Sequence, residues 1–453
     1  MENELIAAVA TGWGRSAIGI VRLSGAGAAA AAGRVFSPMD GRPLADHPAR
    51  KLIYGTLYDR EGRAIDRALC TWSPAPGSYT GEETAELQCH GSPTVLTLAL
   101  EALFAQGAKQ AGPGEFTRRA FLNGRLDLAQ AEGVMDLIDA ETPAAARMAA
   151  GQLAGALSQR VGRVYAGLVD AMAHFHAVLD YPDEDLDPFT TETITDALTA
   201  ARGELQALLA TYDRGRVITR GVPCAIVGRP NAGKSSLLNA LVGFERAIVT
   251  DIPGTTRDTV EERCVLGGVL LRLIDTAGLR ETGDAVEKLG VERSRAAMEA
   301  AGLIFVVIDG TEPATGEDEA LVAQALSLAP TVVLRSKADL PGGEGAPVGG
   351  AETMTVSAVT GEGLKELGEK ISALFSAPAE EAGEMLTNAR QAEAAGRALQ
   401  SVERAGEALS AGVTPDALLT DVEQAMEALG ELTGRHIRED VTDRIFERFC
   451  VGK

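Results

Sequence analysis

Gly-Arg-Pro-Asn-Ala-Gly-Lys-Ser, residues 228–235, sets two glycines four residues apart and follows them with a lysine and a hydroxyl, the pattern of a loop that cradles phosphate. The apolar run at 224–227 reads as a buried strand leading in, and Ser-Ser-Leu-Leu-Asn-Ala-Leu-Val at 235–242 as the helix leading out. A triphosphate needs backbone N–H groups crowded around it, and Gly228 and Gly233 permit both the turn and the close approach. Lys234 adds a positive charge. Ser235 stands at the start of the helix, where its hydroxyl can ligate Mg²⁺ while the helix dipole favours phosphate. The bland alternative, a chance glycine turn before a core helix, loses ground as further residues are read.

Working outward, strands and helices alternate between residue 221 and about 376. The strand candidates 269–274, 303–308 and 331–334 imply a mostly parallel, doubly wound sheet that binds nucleotide at its carboxyl ends. Asp275-Thr-Ala-Gly278 closes the first of these, placing a carboxylate beside Mg²⁺ and a glycine N–H beside a γ-phosphate. Thr255-Thr-Arg-Asp258 lies between, in a loop whose threonine can reach Mg²⁺ only when the γ-phosphate is present. Ser336-Lys-Ala-Asp339 follows the last strand and Ser357-Ala358 the next. In GTPases the terminal aspartate accepts paired hydrogen bonds from guanine, which adenine cannot offer. Two positions depart from that order. Ser336 replaces the usual asparagine, so weaker nucleotide binding with retained guanine selectivity is expected. Leu279 occupies the place of the glutamine that orients water in Ras-like proteins, leaving Glu281 and Glu287 as the nearest polar candidates.

At 453 residues the chain suggests two to four domains. Sixty-four acidic against 42 basic residues, a net charge of −22, argue against broad non-specific nucleic-acid binding, so any RNA contact is expected to be local. Five scattered cysteines without paired metal spacing point to a reducing cytoplasm. No run reaches the length of a membrane span, and no signal peptide is evident. Short apolar runs at 18–23, 51–57 and 68–72 alternate with Gly/Pro turns in a mixed α and β pattern, with a helix expected over 94–106. The polar clusters 79–86, 89–91 and 113–119 read by composition as turns with solvated charges. Helical periodicity sets in at Arg125 and returns at 144–179. An acidic loop (181–188), a further helix (193–212) and a short connector (213–221) follow. After Pro378 the pattern is helical again, with Thr414-Pro415 as an N-terminal signal and Gly434 as a stop. The economical arrangement is one helical domain built from both flanks with the sheet domain inserted.

Along essentially its whole length the chain resembles the MnmE (TrmE) family of tRNA modification GTPases. The resemblance rests on residues 228–236, Thr-Asp-Ile-Pro-Gly-Thr-Thr-Arg-Asp at 250–258, and Asp-Thr-Ala-Gly-Leu-Arg at 275–280. It rests equally on Asn-Gly-Arg-Leu-Asp-Leu-Ala-Gln-Ala-Glu at 123–132 and the terminal Cys-Val-Gly-Lys at 450–453. It implies a multidomain α/β fold: an α+β tetrahydrofolate-binding and dimerisation domain (1–120), and a P-loop GTPase domain (216–377) inserted into an all-α domain (121–215 and 378–453). GTP contacts are implied at Asn231, Ala232, Gly233, Lys234, Ser235 and Ser236, and at Thr250, Asp251, Ile252, Pro253, Gly254, Thr255 and Thr256. They are also implied at Asp275, Thr276, Ala277 and Gly278, and at Ser336, Lys337, Ala338, Asp339, Ser357 and Ala358.

The resemblance assigns Mg²⁺ to Ser235 and Thr256, and K⁺, in the place of an arginine finger, to Asn231, Thr250, Ile252 and Thr255. Glu287 becomes the water-positioning residue, although on sequence alone it reads as an exposed helix glutamate. Arg22, Glu86, Arg125 and Lys453 become contacts to 5-formyltetrahydrofolate or a related tetrahydrofolate; read alone, Arg22 is a strand-end surface charge. Arg125 stands where many relatives carry lysine. Cys450 keeps two readings, a buried small apolar residue on helical spacing with Ile445, Phe446 and Phe449, or an accessible thiol required for modification.

The implied function is a cytoplasmic, homodimeric, K⁺-dependent GTPase working with an FAD-containing MnmG-like partner. Together they add a carboxymethylaminomethyl or aminomethyl group to carbon five of the tRNA wobble uridine, with FAD held only by the partner. A ribosome-assembly GTPase switch and a folate enzyme with a degenerate nucleotide domain remain as rivals.

Overall fold

Period-two burial along the N-terminal strands and unbroken burial along the later ones separate two kinds of sheet. The computed structural model describes residues 4–180, 191–244, 262–274, 287–342, 347–375, 383–411, 415–435, 445–446 and 449–452. The chain divides into two units, residues 1–135 with 423–453, and residues 136–422.

In the first unit β1 (Ile6–Val9), β2 (Ser16–Ser24), α1 (Ala28–Val35), β3 (Phe36–Pro38), β4 (Ile53–Tyr58), β5 (Ala64–Ser73) and β6 (Thr84–Gly91) precede α2 (Pro93–Ala105), β7 (Lys109–Gln110) and α3 (Glu115–Leu122). The seven strands lie in the order β3-β4-β5-β6-β2-β1-β7, antiparallel except where β7 joins β1 in parallel. In β6, Ala85, Leu87 and Cys89 are buried and Glu86, Gln88 and His90 alternate with them onto the opposite face. The buried set packs with Ala28, Ala32, Leu96 and Leu103 of α1 and α2. The expected strands and helix are present. The cluster at 79–86 is corrected: its end is strand β6, and Thr80 and Glu82 are buried.

α4 (Leu128–Ile138) continues the chain into α5 (Pro143–Leu153), α6 (Ala156–Asp180), α7 (Thr191–Leu209) and α8 (Tyr212–Arg220). The single stretch read at 144–179 is two helices, because Gly155, in the left-handed region, breaks it. The expected connector at 213–221 is mostly helix. Its polar side chains conceal an amphipathic turn whose Gly215 lies where a Cβ would stand 2.1 Å from the Leu386 carbonyl oxygen. Next come β8 (Val222–Val227), α9 (Lys234–Phe244), β9 (Glu262–Leu266), β10 (Val269–Ile274), α10 (Glu287–Ala300), β11 (Leu303–Asp309), α11 (Gly316–Leu328), β12 (Thr331–Ser336), β13 (Thr353–Thr355) and α12 (Leu364–Phe375). The strands run β13-β12-β11-β8-β10-β9, all parallel except the β9–β10 hairpin. Leu303 to Ile308 are buried without a break, as a central parallel strand covered on both faces requires.

α13 (Ala389–Ser410) packs on α7, and the Gln152 amide of α5 donates to the Met385 carbonyl (2.8 Å), so helices from before and after the sheet pack together. α14 (Pro415–Thr433) ends at Gly434 in the left-handed conformation, as the sequence predicts; Thr414 lies outside the described residues. Among the described residues no helix is long and apolar enough to cross a membrane.

Candidate functional site

β8 lies between β10 and β11, so the winding of the second sheet reverses there and opens a crevice at the carboxyl ends of β8 and β11. The loop 228–233 leaves β8 at that point and α9 starts at Lys234. Gly228 passes so close to β11 that a Cβ would stand 2.2 Å from the Val307 carbonyl oxygen. Asn231 and Gly233 both have positive φ, turning the loop onto the helix. The half-buried Lys234 Nζ donates to the carbonyls of Gly228 (2.8 Å) and Arg229 (2.7 Å), and burial lowers its pKa. Ser235 and Ser236 sit exposed in the first turn of α9.

Two further segments follow the neighbouring strands β12 and β13, and the first of them meets this loop. Ser336, buried at the end of β12, donates to the Ala232 carbonyl (2.6 Å) and lies 3.2 Å from the Ile308 carbonyl. Lys337 Nζ donates to Asp309 Oδ2 (2.5 Å) at the end of β11. Burial alone would raise Asp309, but hydrogen bonds from Lys337 and from the Thr311 hydroxyl and amide outweigh it and hold the carboxyl at about 2. Asp339 accepts from the fully buried Ser357 hydroxyl (2.6 Å), which orients its carboxylate, and the Ala338 amide donates to the Val356 carbonyl (3.2 Å) just before Ser357 and Ala358.

The structure thus brings together Ala232, Gly233 and Lys234 with Ser336, and Asp339 with Ser357. Thr250, Asp251, Ile252, Pro253, Gly254, Thr255, Thr256, Asp275, Thr276, Ala277, Gly278, Leu279, Glu281 and Lys453 lie outside the described residues. Glu287 is the first residue of α10, and its side chain is also outside them. Two residues that sequence reading missed are Asp309 and Asp318. Asp318 Oδ1 accepts from Arg229 Nε (3.0 Å) in the loop itself. The Thr-x-x-Asp spacing at 315–318 is a capping-box signal, but nothing in sequence ties it to a loop 89 residues away.

In the first unit, Arg22 and Glu86 stand opposite each other in the β2–β6 register, and Arg22 Nε donates to Glu86 Oε1 (2.8 Å). The Arg22 guanidinium lies 5.8 Å from the ring centroids of both Tyr79 and Phe116, so it is a half-buried mid-strand group and the reading as a strand-end surface charge is corrected. The exposed Arg125 passes over Gly81, where a Cβ would stand 3.2 Å from its Cγ. Below that loop, Glu82 accepts from Ser24 (2.7 Å) and Arg119 (2.9 Å), and Tyr79 and Thr117 hydroxyls pair at 2.9 Å. The clusters at 79–86 and 113–119 are therefore partners in a buried polar network, since a carboxylate removed from water requires donors.

Cys450 is exposed although Phe446 and Phe449 beside it are buried, so the reading as a buried small apolar residue is corrected. Its carbonyl accepts from the Gly114 amide (3.2 Å), and Val451 bridges Pro113.

Residues 128–450 match the family model described as the MnmE helical domain, and residues 5–125 the model described as the N-terminus of GTP-binding protein TrmE. The chain is 44% identical over 458 residues to the tRNA modification GTPase MnmE of Symbiobacterium thermophilum, with all of both chains covered. It is 44% identical over 469 residues to the protein of the same name from Heliobacterium modesticaldum, again across the full length of both. Two family models in tandem and full-length relatives agree with a nucleotide loop at the switch point of a parallel sheet: the chain belongs to the MnmE family of tRNA modification GTPases.

Proposed function

We propose that this GTP hydrolase of tRNA modification binds GTP at the carboxyl ends of β8, β11 and β12 and uses K⁺-dependent hydrolysis to gate chemistry at carbon five of the wobble uridine. The observation that carries the reading is the 2.6 Å bond from Ser336 to Ala232, which joins the base-reading segment to the phosphate loop. In the reaction Lys234, steadied by its loop carbonyls, turns its remaining N–H to phosphate oxygens, Asp339 reads guanine while Ser357 fixes its orientation, and Glu287 positions the attacking water. The donors fit the implied cations. Ser235 offers a hydroxyl oxygen to Mg²⁺ and Asn231 an amide oxygen to K⁺, both hard donors for hard ions, with Thr256 and with Thr250, Ile252 and Thr255 completing the two sets. When bound, these ions supply charge neutralisation along the phosphates.

The organisation proposed with it is a tetrahydrofolate-binding, dimerising domain at 1–120, a GTPase domain at 216–377, and a helical domain from 121–215 and 378–453. Arg22, Glu86, Arg125 and Lys453 hold a tetrahydrofolate that provides the one-carbon unit. An FAD-containing MnmG-like partner supplies redox chemistry in the cytoplasm. The exposure of Cys450 favours a modifying enzyme over a ribosome-assembly switch, because a switch has no use for a presented thiol.

Nucleoside mass spectrometry of bulk tRNA from cells lacking the protein, complemented with wild type or Cys450→Ser, tests the proposal. Loss of the wobble modification on deletion, restored by wild type alone, is expected. Modification that persists after deletion, with no paralogue present, overturns it.

A further inference from the structure

We infer that Asp318 is a positioning residue for GTP binding, acting through Arg229 on the phosphate loop; this rests on Lys234 being the phosphate ligand. Asp318 lies in the first turn of α11 with 1% of its surface exposed, and both of its oxygens are used. Oδ2 accepts from the Thr315 amide (2.9 Å) and hydroxyl (2.8 Å), closing a capping box. That device needs one oxygen, and glutamate or glutamine serves it elsewhere. The second oxygen accepts from Arg229 Nε at 3.0 Å, and a buried carboxylate is tolerated because this guanidinium pairs it.

Arg229 is the second residue of the phosphate loop, and its own carbonyl accepts from Lys234 Nζ (2.7 Å) and from the Ala232 amide (3.3 Å). Asp318 therefore holds the side chain of the residue whose carbonyl holds the lysine. Two bonds in series run from the capped end of a helix to the cation that meets the phosphates. A loop held in its binding geometry before nucleotide arrives spends less of the binding free energy on ordering itself.

The test is equilibrium binding of GTP and GDP, with steady-state hydrolysis, on the full-length protein. Asp318→Asn keeps a capping oxygen for Thr315 but loses the charge that pairs Arg229. It is expected to weaken both nucleotides about tenfold and to raise KM while kcat moves much less, since a charge-assisted bond is lost outside the reacting atoms. Arg229→Gln should do the same, Arg229→Lys should recover part of the loss, and the double variant Asp318→Asn/Arg229→Gln should bind no worse than either single one. Unchanged affinity with a lowered Tm of the nucleotide-free protein would reduce Asp318 to a helix cap and overturn the inference. Independent losses that multiply in the double variant would overturn it as well. Lys234→Ala serves as the control: if it binds GTP like wild type, the site reading fails instead, and the two failures are told apart.

Discussion

Gly452→Ala should detach the C-terminal segment that presents Cys450 while leaving GTP hydrolysis intact. Gly452 is buried with φ at 101°, and a Cβ there would stand 2.0 Å from the Val9 carbonyl oxygen and 2.9 Å from its carbon. Those atoms belong to β1, which is paired to strands on both sides, so the tail must move and not the wall. A side chain at positive φ costs about 1–2 kcal/mol by itself. Retreat also breaks the Gly114 amide's bond to the Cys450 carbonyl, which contributes about 0.5–1.5 kcal/mol. Together these amount to roughly 1.5–3.5 kcal/mol against docking, a loss of about ten- to three-hundredfold in the docked-to-undocked ratio. Hydrogen exchange followed by mass spectrometry on the peptide containing Gly114 reads that ratio, since this amide is protected only while the tail is docked. Faster exchange at Gly114, loss of the tRNA modification and unchanged GTP turnover are expected together. Wild-type protection of Gly114 in the variant would refute the reasoning, because the clash would then have been absorbed without moving the tail.

Thiol titration of the native protein with an aromatic disulfide should give one fast equivalent from Cys450 and four that react only on unfolding. Burial pushes Cys70 and Cys89 up to about 12, so neither supplies thiolate at neutral pH; any fast equivalent in the Cys450→Ser protein would contradict this. Asp309, held at about 2 against its ordinary 3.8, stabilises the fold fully above pH 3.8, and that contribution is lost as pH falls towards 2. Asp309→Asn should therefore lower stability by at most about 2 kcal/mol at neutral pH, with the gap to wild type closing below pH 4, as acid unfolding curves would reveal. Asp339→Asn should shift preference from GTP towards xanthosine triphosphate in competition binding, and a variant that still prefers GTP removes Asp339 from base recognition.

The parts of this protein legible in sequence are those whose cause is local. The strand, loop and helix at 222–244 follow from an apolar run, two glycines and an amphipathic segment, all within 23 residues. What escaped depends on partners far along the chain. Asp318 meets Arg229 across 89 residues and Lys337 meets Asp309 across 28, and neither pairing leaves a periodic trace. Charges at 79–86 and 113–119 looked solvated because composition cannot tell a carboxylate facing water from one facing Arg119 and Ser24. Helix α8 looked like a connector because its polar residues outnumber the few that bury, and Gly215, a poor helix former, is there to admit the Leu386 carbonyl.

Ser336 shows how a departure from a motif can be matched by its surroundings. In the proposed site the guanine signature has two separable tasks, tying the phosphate loop down and reading the base, and different hydroxyls would support them. Asp339 is the residue that would read the base there, and its carboxylate is oriented by Ser357 and not by the residue at 336. The tie is made by a hydroxyl with a single proton, and the 2.6 Å contact to Ala232 claims it, leaving the 3.2 Å approach to Ile308 as the weaker option. A side chain this short can span the gap only because the loop comes close. A Cβ on Gly233 would already stand 3.2 Å from the Ser336 oxygen. The glycine that bends the loop for phosphate therefore also sets the reach that position 336 must cover, and at this separation serine covers it.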